Sequence, residues 1–133
     1  MIGCFMSLGI ALFAQAQKGD FSRLVTLHSL EKLHEVFGMP PETSKGMWYS
    51  IQFLMQNEMI YFYRVAEEGF SYNQYCQGLE LLEQYRVQYP LKAICMPGVG
   101  SRELIDKATQ FCKDRSIIFL CTAEDFYDYA TDF

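Results

Sequence analysis

Apolar residues along this chain occur either in short continuous runs or at helical spacing. Residues 91–121 show both patterns in succession. An apolar run at 93–96 stops at Pro97-Gly98, a helical pattern follows, and a second apolar run occupies 116–121. A strand, a crossover helix and a strand of these lengths form a parallel βαβ unit. Because both runs are continuously apolar, helices are expected to cover both faces of the sheet.

The same patterns predict the remaining elements. Strands are expected at residues 6–14, 24–27 and 59–65, and helices at 30–37, 47–57 and 71–85. Residues 122–133 are expected to form one or two helical turns. The sequence therefore predicts a single α/β domain over residues 1–133. Its sheet has about four strands, mostly parallel, with helices on both faces.

Local signals refine the helix ends. Ser29 is predicted to cap the first helix and Gly38 to end it. Ser71, with Gln74 three residues later, has the pattern of a capping box. Gly78 inside the third helix costs about 1 kcal/mol relative to alanine, which predicts either close packing at that point or a shorter helix.

Charge and cysteine content narrow the class of protein. The formal net charge is −5 and the basic residues are scattered, so a nucleic-acid partner is not expected. The five cysteines are odd in number and irregular in spacing, which disfavours a disulfide framework or a zinc site. We interpret them as reduced, buried thiols in a cytoplasmic protein.

The first sixteen residues raise a targeting question. Residues 2–13 are apolar, and Ala14-Gln15-Ala16 is similar to a signal-peptidase site. No Lys or Arg precedes the apolar run, and the run is too short to span a bilayer. A buried strand is the favoured interpretation, and a processed signal peptide is the alternative.

One loop lies where α/β sheets commonly hold ligands. Gly98, Gly100 and Ser101 follow a predicted strand and precede a helix, so their amides are candidates for binding a phosphate or a carboxylate. The loop has neither the Lys-Ser/Thr of a P-loop nor the third glycine of a dinucleotide fingerprint. The alternative is a tight turn capped by Ser101, and no cofactor is predicted.

Other candidate residues also have ordinary structural explanations. Glu124 and Asp125, with Asp128, are candidate magnesium ligands or else a solvated acidic tail. Arg64 is expected to pair with a nearby carboxylate, Glu67 or Glu68, or to lie at an interface. His28 and His34 fit helix and cap positions. No nucleophile–base pair is visible, so the sequence does not predict an enzyme.

Three stretches, taken in order, resemble the core of contractile-tail sheath proteins of bacteriophages and related injection machines. The first is the strand and small-residue turn at 10–20. The second is the strand–helix segment at 24–38, continuing to the aromatic strand at 59–65. The third is the Pro-Gly loop and βαβ unit at 94–120. The motif residues that carry the resemblance are Gly19, Phe37, Gly38, Arg64, Pro97 and Gly98.

The resemblance implies a structural protein that contacts its own copies or a longer sheath-type protein, with neither a membrane nor a nucleic acid as partner. It implies a place in the cytoplasm or in a phage-tail-like particle. Family members are longer and carry arms that add strands to neighbouring subunits, so this chain is expected to be a reduced or auxiliary relative. The alternative is a small ligand-binding or regulatory domain that uses the Gly98–Ser101 loop.

Overall fold

The computed structural model of the protein describes residues 7–122 together with 125, 130 and 131. Five strands and four helices follow one another in the described part of the chain. They are β1 (Gly9–Ala14), β2 (Leu24–Leu27), α1 (Leu30–Phe37), α2 (Lys45–Met55), β3 (Met59–Arg64), α3 (Tyr72–Gln84), β4 (Leu91–Cys95), α4 (Arg102–Arg115) and β5 (Ile118–Leu120). The predicted order of elements is confirmed.

The five strands form one sheet in the order β2-β3-β1-β4-β5. Strand β1 is central, pairs in parallel with both β3 and β4, and is buried along its whole length. Strand β5 pairs in parallel with β4, which confirms the predicted βαβ unit. Only the edge strand β2 is antiparallel, because it pairs with β3 in the opposite direction.

Two apolar clusters cover the two faces of this sheet. Alternate residues of β1 point to opposite faces, so Ala11 and Phe13 join one cluster while Ile10 and Leu12 join the other. Helices α3 and α4 pack on the Phe13 face, and α1 and α2 pack on the Leu12 face. The α/β class and the helices on both faces are as predicted.

Gly78 confirms the predicted close packing in α3. A Cβ at this position would overlap the ring of Phe13, and Tyr63 lies just beyond. The two rings lie 5.3 Å apart, and Phe13 also stacks on Tyr75 at 5.5 Å. The absence of a side chain at Gly78 therefore lets α3 lie directly on the aromatic cluster of β1 and β3.

Two details differ from the sequence-based predictions. The sheet has five strands instead of about four, because Leu24–Leu27 joins it as an edge strand. Helix α2 begins earlier than predicted, since Ser44 accepts a hydrogen bond from the Met47 amide and caps it. Of the predicted C-terminal helical turns, Asp125, Ala130 and Thr131 are helical and the remainder lies outside the described residues.

The predicted capping box at Ser71 is wrong. The Ser71 side chain makes no capping bond to α3; its hydroxyl accepts from the Glu67 amide at 2.9 Å. The Gln74 side chain accepts from the Ala66 amide at 2.7 Å. Both side chains thus stabilise the turn between β3 and α3, where they accept hydrogen bonds from the amides of Ala66 and Glu67.

Within the ranges that the structure describes, no helix is long and apolar enough to cross a bilayer.

Candidate functional site

The topology places a crevice between the carboxyl ends of β1 and β4. The chain leaves β1 towards the face covered by α1 and α2, and it leaves β4 towards the face covered by α4. Neighbouring parallel strands whose connections go to opposite faces define the usual ligand crevice of an open α/β sheet. The carboxyl ends of these strands therefore form the candidate site.

The carboxylate of Glu68 fills this crevice. Its residue is only 7% exposed, and Oε2 accepts hydrogen bonds from the Gln15 amide at 2.9 Å and from the Ser44 hydroxyl at 2.6 Å. Oε1 accepts from the Lys45 amide at 2.9 Å, and the Gly46 amide lies 3.3 Å from both oxygens. Glu68 thus occupies the N-terminus of α2 in the way that a bound anion occupies a helix N-terminus.

Two properties of α2 explain why it receives a carboxylate from elsewhere in the chain. Its first turn contains no acidic residue, whereas α1 has Glu31 and α4 has Glu103 at that position. The positive end of its dipole is therefore not compensated locally. Gly46 allows the close approach, because a Cβ there would overlap the Ala14 side chain and lie 3.2 Å from Glu68 Oε2.

Gln15 joins the same network from the end of β1. Its backbone amide donates to Glu68, and its side-chain oxygen accepts from the Glu68 amide at 2.8 Å. Its side-chain nitrogen donates to the Thr43 hydroxyl at 2.9 Å. The two residues bind each other reciprocally across 53 positions of sequence. This pairing fixes the β3–α3 loop over the end of the central strand.

The loop after β4 is held by internal partners. The Gly98 amide donates to Oδ2 of Asp125 at 3.0 Å, and Asp125 is buried. Gly69 lies against the Gly98 carbonyl, so a Cβ at Gly69 would overlap it. Ser101 caps α4 by accepting from the Leu104 amide at 3.5 Å. Gly100 lies half-buried between them, with no hydrogen bond to Glu68 or Asp125.

Of the predicted acidic residues, Asp125 is described and lies near the carboxyl ends of the strands. Glu124 and Asp128 lie outside the described residues. Among the residues that the structure does describe, no group of three His, Cys, Asp or Glu side chains is placed to hold a metal ion. His28 and His34 are both exposed.

Arg64 has neither of the predicted carboxylate partners. Its guanidinium donates to the Gly19 carbonyl and, at 3.1 Å, to the Ala16 carbonyl. It also stacks 4.2 Å from the centre of the Phe21 ring. Glu68 is unavailable as a partner because the α2 N-terminus binds it. The predicted Arg64–carboxylate pair is therefore wrong, and Arg64 instead holds the loop that follows β1.

Most of the motif residues fall into two groups around the candidate site. Gly19 packs on the Phe37 ring, and the Phe37 carbonyl accepts from the amides of Gln17 and Lys18 at 3.2 and 3.3 Å. Gly38, with φ of 79°, ends α1 beside the Gln17 side chain. Pro97 and Gly98 lie on the other side of the crevice, after β4. Sequence reasoning named Glu68 only as a partner for Arg64, and the signal for its actual partner was the missing acidic residue in the first turn of α2.

A cleft opens beside Arg64, also at the carboxyl ends of the strands. Its volume is about 360 Å³, and its walls come from the loop after β1, the segment after α1 and the end of β3. Its lining residues are Gln15, Ala16, Gln17, Phe21, Met39, Pro40, Pro41, Arg64, Val65 and Ala66.

The described cysteines are free thiols in different surroundings. Burial raises the pKa of Cys95 to about 12, with Asp125 contributing, and burial raises the pKa of Cys112 to about 11. Cys121 is exposed and Cys76 is partly buried, while Cys4 lies outside the described residues. These thiols stay protonated and unreactive when they are buried in this way.

No protein-family model, curated protein or solved structure matches this chain.

Proposed function

We propose that this chain is a structural or assembly protein that works through contacts with other protein subunits. The observation that carries the proposal is the surface. Large apolar side chains stand out from every layer of the molecule, each more than half exposed: Met39, Trp48, Met55, Phe70, Val87 and Ile118. Aromatic and methionine side chains of this kind are enriched in protein interfaces.

The crevice supports the same proposal. In a ligand-binding α/β domain the switch point is open, whereas here Glu68 and Asp125 occupy the amides that a ligand would use. The alternative function, a ligand site at Gly98–Ser101, requires displacement of Asp125 from the Gly98 amide. An assembly function requires no such rearrangement.

The sheath resemblance gives this proposal its particular form. The partners are other copies of the chain or a longer sheath-type protein, in the cytoplasm or within a phage-tail-like particle. In the part of the chain that the structure describes, β2 and β5 are the edge strands of the sheet. Each edge presents backbone groups to which a strand of another subunit can add.

Light scattering coupled to size exclusion, over a wide concentration range, tests the proposal. We expect concentration-dependent oligomers, with rings or tubes in electron micrographs of the most concentrated fraction. A parallel sample contains purified subunits of a contractile sheath, into which the chain is expected to incorporate. A chain that stays monomeric alone and does not enter sheath tubes would contradict the proposed function.

A further inference from the structure

We propose that the cleft beside Arg64 is the contact face between two copies of this chain, with Glu67 of each copy paired to Arg64 of the other. The exposed Phe70 of each copy would pack on the apolar rim of the other copy's cleft. This inference rests on the proposed assembly function and names the surface that carries it.

Arg64 supplies the charge for this contact. Its guanidinium has five N–H donors, of which the structure uses one for the Gly19 carbonyl and one for the Ala16 carbonyl. Its buried Nε has no acceptor. No acidic side chain of the described residues forms an ion pair with it. A cation on a protein of net charge −5 thus has no counterion among the residues that the structure describes.

The rim of the cleft is apolar and accessible. Met39 is 58% exposed and Phe21 is 41% exposed, and Pro40 and Pro41 continue the same wall. A guanidinium surrounded by aromatic, methionine and proline side chains resembles the centre of a protein interface more than a site for a highly charged small ion.

The complementary groups follow Arg64 in the same loop. Glu67 is exposed, and its carboxylate is in no ion pair with the described residues. Phe70 is 75% exposed. The backbone of Glu67, by contrast, is fixed on both sides by the Ser71 hydroxyl. The loop that begins with Val65 and Ala66 in the cleft wall therefore carries an exposed acidic and an exposed aromatic side chain.

A second copy is the partner that these groups favour. A two-fold contact joins a patch to itself, so the patch must contain both members of each pair. This end of the sheet contains both members of each pair, namely Arg64 with Glu67 and the apolar rim with Phe70. The two ion pairs form together in such a dimer, because the symmetry repeats each contact.

Sedimentation equilibrium of the full chain tests this contact. We expect Glu67→Arg and Phe70→Ser each to raise the dissociation constant of the dimer at least tenfold. The matched controls Glu80→Arg and Val87→Ser, at exposed positions away from the cleft, should leave it within twofold. Glu67→Gln should also remove most of the weakening that salt causes in the wild-type dimer.

The outcomes separate this inference from the proposed function. Association that Glu67→Arg and Phe70→Ser leave unchanged would overturn the Arg64 contact while the assembly function stands. A chain that is monomeric alone but enters tubes of a longer sheath protein would have the same meaning. A chain that does neither would overturn both.

Discussion

At the scale of single residues, Glu68 is the side chain on which the site depends. A buried carboxylate that accepts several hydrogen bonds stabilises the fold only while all its donors remain paired with it. Its contacts join the end of β1, the start of α2 and the β3–α3 loop. It acts as an internal ligand that closes the crevice.

We expect Glu68→Gln to lower the free energy of unfolding by about 3 kcal/mol, because an amide nitrogen would then face N–H donors and the helix dipole would lose its counterion. Urea denaturation measures this difference. The matched control is Glu80→Gln at an exposed position of α3, for which we expect a change within about 0.5 kcal/mol. Equal effects of the two substitutions would contradict the assigned role of Glu68.

Gly78 gives a second prediction at this scale. In an exposed helix, glycine to alanine gains about 1 kcal/mol. Here Gly78→Ala should instead destabilise the protein by about 2 kcal/mol, since the new methyl overlaps the Phe13 ring. The double variant Phe13→Leu/Gly78→Ala should cost less than the sum of the two single substitutions in a thermal or urea unfolding cycle. Additive costs would show that the ring and the methyl do not meet.

At the scale of elements, the capping residues differ in how much they hold. Ser44 caps α2 and also donates to Glu68, whereas Ser29 only caps α1. Ser44→Ala should therefore cost about 2 kcal/mol of unfolding free energy, and Ser29→Ala about 1 kcal/mol or less. Urea denaturation of the two variants side by side measures the difference. If the two costs are the same, the bond from Ser44 to Glu68 contributes nothing.

The helices and strands were largely predictable, because the spacing of apolar residues and the capping and turn residues are local features of the sequence. The apolar runs and helical spacings placed all nine elements, and Ser29, Gly38 and Gly78 behave as their sequence context indicated. The antiparallel pairing of β2 was not predictable from its four residues. Nothing within Leu24–Leu27 specifies the direction of the strand beside it.

The site was less predictable, because its bonds join distant parts of the sequence. Arg64 has acidic neighbours in sequence, yet it binds carbonyls some 45 positions earlier. Glu68 does not pair with Arg64; its carboxylate instead accepts hydrogen bonds from amides at the N-terminus of α2. Ser71 and Gln74 have a capping pattern, but the turn before α3 presents amides closer to them. For Arg64 and Glu68, a partner distant in sequence therefore prevails over a neighbour in sequence, whereas Ser71 and Gln74 bind amides only four and eight positions earlier.

For the whole molecule, the buried thiols predict a decline of stability in alkali. The pKa of Cys95 rises from 9.0 to about 12 on folding, and that of Cys112 from 9.0 to about 11. Between these values the unfolded chain loses protons that the folded chain keeps. Their contribution is full below pH 9 and is lost as pH rises towards the folded pKa values.

Urea unfolding at pH 8 and pH 10 should therefore differ by about 3 kcal/mol because of these two thiols. The variant Cys95→Ala/Cys112→Ala should show a flatter dependence on pH, whatever its absolute stability. Burial also raises the pKa of the exposed thiol Cys121, so Cys121→Ser, which removes one thiol, should flatten the slope less than the double variant does. An unchanged slope in the double variant would contradict the assignment.

The central position of β1 has a consequence for how the protein is made. Its two neighbours in the sheet, β3 and β4, both lie later in the chain. During synthesis β1 therefore emerges before both of the strands that pair with it, and one of its sides stays uncovered until β4 has been made. A nascent chain halted before Leu91 would leave one side of β1 open to chaperones or to other nascent chains.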